Sequence, residues 1–510
     1  MTTSYRWIKD RAVGIFAHIS SLPSRQGIGN VGASAISFLD YLKEAKVRYW
    51  QICPLGATSL GDSPYQSFSA FAGNPYFIDF CELESLGVLS EAELAPLRKL
   101  SQSICEYGYL YQHIPPLLKL AYERYSTDEE IAKKLNEAMH FSFEEFCQNN
   151  KTWLDDYALF MELKEKFNGV AWQDWDKNFK NYKLAKKQDL SDLKLDRIKF
   201  IQWLFFSQYA KTKDYAKTLG IEIIGDIPIF LSADSVELWS MPELFDTDDK
   251  GELRVVSGVG PDYFSPEGQL WGNPLYDWNK SYKKCLKFWE NRLSKMLELF
   301  DIIRIDHFRA FADYWAIDAK SDSALDGKWQ KSVGIKFFKD LKKIFPQAKL
   351  IAEDLGLLSQ EAIDLRDEID IASMAVLQFA FGDDTTNAYL PYNQHKNMIC
   401  YCGTHDNDSC TSWYETSDEK TKDFFRRYMR TDAHAPHWDM IYAALSAPAG
   451  IAIIMLQDLF GLGESSRINI PGKAWGNWQW RIEKELLEKS KNDELLFFKS
   501  LCKTCGRENI

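Results

Sequence analysis

Residues 301–310 read DIIRIDHFRA. An apolar, β-branched start gives way to charge at Arg304, Asp306 and Arg309, as in a buried strand whose C-terminal end emerges into a polar opening. Seven other segments follow the same grammar: GIFAHISSLP (14–23), RYWQICPL (48–55), IEIIGDIPIF (221–230), KLIAEDLG (349–356), SMAVLQFAFGD (373–383), MICYCGTHDND (398–408) and GIAIIMLQDLFG (450–461). Segments of 3.6-residue period, such as GIKFFKDLKKIF (334–345) and DEKTKDFFRRYM (418–429), lie between them. Eight strands alternating with amphipathic helices predict an α/β fold, a (β/α)8 barrel with large, mostly helical insertions.

Two connections are too long for simple crossovers. Residues 84–215 are helical in period, with WLDDYALFMELKEKF (153–167) showing i, i+4 apolar spacing. Residues 231–300 hold SGVGPDYFSPEGQLWGNPLYDW (257–278), whose Gly and Pro argue for a surface loop and whose aromatics argue for a binding one. The expected organisation is one catalytic barrel over 1–510, a helical insertion at 84–215, a lid at 231–300 and a helical tail at 480–510.

The 510 residues carry 61 Lys+Arg against 73 Asp+Glu, a net charge of −12, which argues against nucleic-acid and anionic-membrane partners. The longest apolar run, GIAIIML (450–456), is too short to span a bilayer, and the N-terminus has no secretory h-region. The ten cysteines lack disulfide-framework spacing, and Cys502-x-x-Cys505 has no second pair, so the expectation is reduced thiols in a cytoplasmic protein. Aromatics are abundant, with 17 Trp, 24 Tyr and 32 Phe.

In such barrels chemistry gathers at the C-terminal ends of the strands. Asp226 falls there in GDIP, Asp306 in RIDHFR, Glu353 and Asp354 in AEDLG, and His405, Asp406 and Asp408 in THDND. Any one such acid commonly caps the next helix, but carboxylates at four strand ends converge on one mouth. Arg304 shares a strand face with Asp306, which places a positive charge beside a candidate nucleophile. Carboxylates ringed by aromatics suit carbohydrate chemistry: sugar C–H faces stack on rings, and glycosidic cleavage needs one carboxylic acid and one carboxylate. His405 and Asp406 are adjacent rather than at metal-ligand spacing, no G-x-G-x-x-G directly follows a strand and opens a helix, and no G-x4-G-K-[ST] occurs, so neither metal nor nucleotide cofactor is expected.

The strings GDSPYQSFSAFAGNPYFID (61–79), GDIPIFLSADSVELW (225–239), PDYFSPEGQLWGNPLYDW (261–278), RIDHFR (304–309), AEDLG (352–356), THDN (404–407) and NIPGKAWGNWQWR (469–481) resemble those of the amylomaltases, 4-α-glucanotransferases related to the α-amylases. The resemblance runs from about residue 13 to 481. It implies Asp306 as nucleophile, Glu353 as acid/base and Asp406 as stabiliser of the transition state, in a retaining reaction with carboxyl groups roughly 5–5.5 Å apart. It further implies sugar contacts from Ser63, Tyr65, Asp226, Arg304, His307 and His405, a lid contributing Phe264, Gln269, Trp271 and Asn273, and Asn469 from a loop across the cleft. The implied partners are maltodextrins and related α-1,4-glucans, with glucose as acceptor. Leu60 stands where the family generally has Tyr, Gly260 replaces a usual Pro, and Asp408-Ser409-Cys410 differs mildly. A retaining α-glucan hydrolase on the same barrel is the alternative activity. A glycan-binding protein with a vestigial site is disfavoured by three intact carboxylate motifs. The helical tail counts against an α-amylase proper.

Overall fold

The computed structural model describes residues 3–58, 61–261, 266–356, 358–382 and 384–508. Twelve strands are present among them: β1 (Ala12–Phe16), β2 (Tyr49–Gln51), β3 (Glu222–Pro228), β4 (Val255–Val259), β5 (Gln269–Pro274), β6 (Ile302–Asp306), β7 (Asp313–Asp318), β8 (Lys328–Lys331), β9 (Leu350–Ala352), β10 (Ser373–Val376), β11 (Met398–Tyr401) and β12 (Ile451–Met455). Eight form one parallel sheet in the order β10-β11-β12-β1-β2-β3-β6-β9. The sheet curls shut through a single parallel bridge, Ile351 to Ala372, with Ala352 N donating to Ala372 O at 2.8 Å. The (β/α)8 barrel is therefore present, and each predicted apolar run supplies one of its strands.

The barrel strands are short, and in β3 and β6 the pairing runs on through the polar residues Asp226, Arg304 and Asp306. β1 and β12 are buried at every position, as expected of strands covered by helices outside and by each other inside. Gly14 in β1 is required by close packing, since a Cβ there would meet Tyr49 O and the Ile453 side chain at 2.7 Å.

Between β2 and β3 the helices Phe143–Lys166 and Leu195–Thr218 pack together over 24 residues each. The second ends in a Schellman turn: Gly220 takes φ 71°, and Ile221 N donates to Ala216 O. Gln202 from this helix exchanges two hydrogen bonds with the backbone of Gly73, and Gln208 does the same with Asp79. The insertion thus fixes the segment that leads out of the 61–70 loop into the barrel. Among the described residues no helix is long and apolar enough to cross a membrane.

The sequence did not announce a second sheet. Strands β5-β4-β7-β8 form an antiparallel sheet, so the 231–300 segment is partly strand and is completed by residues 313–331. Its outermost strand, KWQK, is exposed throughout, which erases the alternation that marks a half-buried strand. The tail forms two helices, Lys484–Ser490 and Glu494–Thr504. Beyond them the buried Arg507 donates to the carbonyls of Ala12, Leu445, Ala447, Ala449 and Gly450, closing the barrel floor. All ten cysteines are unbridged.

Candidate active site

Four barrel strands bring the predicted acids to one mouth. Asp226 lies on β3 and is 2% exposed, whereas Asp306, ending β6, is partly open. Arg304 sits between them, because a period of two puts it on the same strand face as Asp306 and the β3–β6 register sets it opposite Asp226. One guanidinium nitrogen, Nη1, donates to Asp306 Oδ1 at 3.0 Å and also to Asp226 Oδ2. Burial works against the charge on Arg304, yet Asp226 and Asp306 together hold it more firmly protonated than usual. Burial pushes Asp226 up to about 6 against the pull of Arg304. Tyr65 adds a hydroxyl donor to Asp226 Oδ2 at 2.8 Å.

Glu353 follows β9 and receives two backbone donors, His307 N at 2.8 Å on Oε2 and Leu355 N at 3.2 Å on Oε1. The first explains a strained residue. His307 holds φ 49°, a left-handed conformation that costs about 1–3 kcal/mol and that sits beside an N–H aimed at Glu353. Burial raises Glu353 to about 8; Arg304 opposes this and the negative charge of Asp306 adds to it. Two neighbouring carboxyl groups therefore occupy unequal environments, one beside a cation and one desolvated. The His307 ring is itself pushed down to about 4 by burial, so it is a neutral imidazole at ordinary pH.

The third acid, Asp406, is 45% exposed at its side chain and reaches into the opening. Asn469 Nδ2 donates to its Oδ1 at 2.6 Å, His405 Nε2 lies 3.4 Å from Oδ2, and Arg467 Nη2 donates to its backbone carbonyl at 2.9 Å. His405 is seated in an aromatic stack, 5.2 Å from the Tyr65 ring and 6.0 Å from Phe16.

Strand β5 approaches from the other side. Trp271 stands edge-on to His307 at 4.9 Å, and its indole N–H donates to Gln269 Oε1 at 3.2 Å. Asn273 is directed inward instead: its amide donates to Leu231 O at 2.7 Å and accepts from Ser257 Oγ at 3.3 Å, so it pins the strand. Ser63 Oγ accepts from Tyr65 N at 3.3 Å and shapes the turn that presents Tyr65. Phe264 and Leu60 lie outside the described residues. Gly260 sits against Trp315, whose ring a Cβ there would meet at 3.3 Å.

Two acids at the strand ends turn away. Asp354 is buried and accepts from Met374 N at 2.8 Å and Arg366 Nη1 at 3.0 Å, while Asp408 accepts from Ser409 N and Ser412 Oγ at the start of the next helix. Sequence reasoning passed over Trp478 and His18. Trp478 is buried with φ 63°, and its ring lies 5.5 Å from His405 and 5.9 Å from Tyr65, completing the stack. His18, buried after β1, is pushed down to about 3 by desolvation and then by His405. Its place just past the GIFA strand was the available signal. Among the described residues one trio could ligate a metal ion, Cys402, Cys410 and Asp458. Its members bond one another, with Cys410 donating from both N and Sγ to Asp458.

The family described as 4-alpha-glucanotransferase matches residues 17–487. The chain belongs to that family. As a member it is an enzyme, a 4-alpha-glucanotransferase. It is 42% identical over 473 residues to the 4-alpha-glucanotransferase of Clostridium butyricum, covering 91% of this chain and 95% of that one. Identity is 41% over 484 residues with the Thermus thermophilus 4-alpha-glucanotransferase, covering 92% and 95%. The solved structure of amylomaltase from Streptococcus agalactiae in complex with acarbose superposes with a TM-score of 0.91 at 36% identity, covering 98% of this chain and 100% of that one. Corynebacterium glutamicum amylomaltase shares the fold, with a TM-score of 0.77 at 17% identity.

Proposed function

We propose that the chain moves α-1,4-glucan segments from a maltodextrin donor to the 4-hydroxyl of an acceptor glucan or glucose, retaining configuration by double displacement. The observation that carries this is the asymmetry of the two carboxyl groups at β6 and β9: Asp306 against the Arg304 cation and Glu353 raised by burial to about 8. Asp306 attacks the anomeric carbon while Glu353, protonated at neutral pH, gives its proton to the departing 4-oxygen. The glycosidic bond breaks as the Asp306–glucosyl ester forms. Glu353, now a carboxylate, takes the proton from the incoming hydroxyl, whose oxygen displaces Asp306 and restores the α configuration. Asp406, fixed by Asn469, holds hydroxyls of the reacting sugar. The S. agalactiae relative's structure is a complex with acarbose, an α-glucan mimic, which supports an α-glucan as substrate.

Transfer rather than hydrolysis demands that water be kept from the ester while an acceptor is held in line. Trp271 against His307 puts an indole at the edge of the reacting centre, which supports a lid role for β5. Incubation with maltotriose alone, with products separated by length, tests the proposal. A ladder of longer glucans plus glucose is expected. Maltose plus glucose alone would make the enzyme a hydrolase. Asp306→Asn should abolish turnover and keep maltotriose binding; retained turnover would remove Asp306 from its role.

A further inference from the structure

We propose that a polar cavity of about 320 Å³, between the small antiparallel sheet and the helix Trp278–Leu299, is an accessory site for glucosyl units of the α-glucan. The proposal rests on the glucan specificity argued above. The cavity lies outside the cleft, and its walls come from three segments: Asp246 ahead of β4, the 276–282 stretch after β5, and Tyr314 with residues 330–336 of the β7–β8 arm.

Its lining fits a neutral polyol better than an ion. A bare anion would face Asp246 and Asp277, which both act on the Tyr314 hydroxyl and, with burial, push it up to about 12. A bare cation would face Lys331 and Lys336, the latter with its ammonium 3.6 Å from the Tyr282 ring centroid. A sugar meets both demands, since its hydroxyls pair with carboxylate and amide while a C–H face lies on Tyr314.

Unspent hydrogen-bonding capacity is present. The Gln330 side-chain carbonyl accepts from Tyr314 at 3.4 Å, which leaves its amide as a donor. Asp277 spends Oδ1 on Lys280 N, with Oδ2 no nearer than 3.4 Å to the Lys280 ammonium. The volume lies at the lower end of the range for small-molecule sites and would otherwise hold about ten waters.

The site is also tied to the reacting centre. Ser332 N donates to Ala312 O, and Gly334 N to Phe311 O, in the turn that follows His307. A long or branched glucan held here is tethered to the sheet that carries Trp271, and its effective concentration at the cleft rises; maltotriose is too short to profit.

The test uses the full chain with Asp306→Asn to stop turnover. Acarbose is titrated by calorimetry and its stoichiometry is read. We expect two sites per chain, one of which disappears in Gln330→Ala. Asn279→Trp, which fills the cavity from an exposed position, should have the same effect without altering the sheet. In the active enzyme both variants should raise KM for amylose about threefold or more and leave maltotriose kinetics unchanged. A single acarbose site per chain, or a second site unaffected by both variants, overturns the accessory site. If wild-type cleft binds neither acarbose nor maltotriose, the functional proposal falls instead.

Discussion

Replacing Arg304 by Met removes the one cation that Asp226 and Asp306 share. Arg304 is 4% exposed, so the variant leaves a buried carboxylate without its partner; such losses cost about 3–5 kcal/mol. At an unfolding entropy of about 2.1 cal/mol/K per residue, a chain of this length should melt about 3–5 °C lower. The same cation opposes burial in setting Glu353 at about 8. If Glu353 acts in its protonated form, wild-type activity falls on the alkaline side near that value. An opposite charge at this range is worth about 1–3 pH units, so Arg304→Met moves the alkaline midpoint upward by about one unit or more. Turnover at neutral pH falls about 100- to 1000-fold, from loss of fixed charge at the reacting centre. Glucose release from maltotriose, followed by a coupled oxidase assay across about pH 5–10, reads both effects. An alkaline midpoint that stays in place, or moves down, would refute the assignment of that limb to Glu353.

Other expectations follow from the same contacts. Asn469→Ala removes a 2.6 Å donor from Asp406, and a hydrogen bond to a charged group is worth about 1.5–3 kcal/mol, so kcat/KM should fall about 10- to 100-fold; an unchanged value would detach Asn469 from the site. Glu353 is raised from 4.5 to about 8 on folding, so its stabilising proton is fully in place below 4.5 and is lost as pH rises through about 8. Glu353→Gln, which has no proton to lose, should therefore match wild type in melting temperature near pH 4.5 and exceed it above about pH 8 by a few degrees; a constant difference across pH would count against the raised carboxyl. Trp271→Ala opens the edge of the centre beside His307 and should raise the ratio of hydrolysis to transfer, read as free glucan ends against redistributed chains; an unchanged ratio would sink the lid role of β5.

The barrel was legible because each strand is built on a short apolar run with polar residues at or just past its C-terminal end. The small sheet was not. β4 and β5 are rich in glycine and polar residues, and β8 is exposed at all four positions, so no period of two survives. The site was visible as acids at strand ends, yet the strand period stops at the last paired residue. Beyond it, only the loop geometry separates Glu353 from Asp354 and Asp406 from Asp408. Asn273 illustrates the same limit: its strand position is plain, but the choice of Leu231 O as its partner is tertiary. Trp478 was hidden for another reason. It adopts a left-handed backbone, which no propensity predicts for tryptophan, and the rings that hold it there come from residues far away in the chain.

The pairing of β1 with β12, which joins Ala12 to Ile451, sets the order in which the enzyme comes into being. As the chain leaves the ribosome, β1, β2, β3, β6 and β9 can assemble into an open sheet that already carries Asp226, Arg304, Asp306 and Glu353. Its β1 edge has no neighbour until β12 emerges, and an unpaired, wholly apolar edge is an invitation to aggregate. Asp406 comes after β11, and Asn469, which fixes it, and Trp478 arrive only beyond β12. A nascent chain therefore carries most of its acidic groups early but gains its catalytic mouth late, and a truncation before β12 should leave an inert, chaperone-dependent fragment.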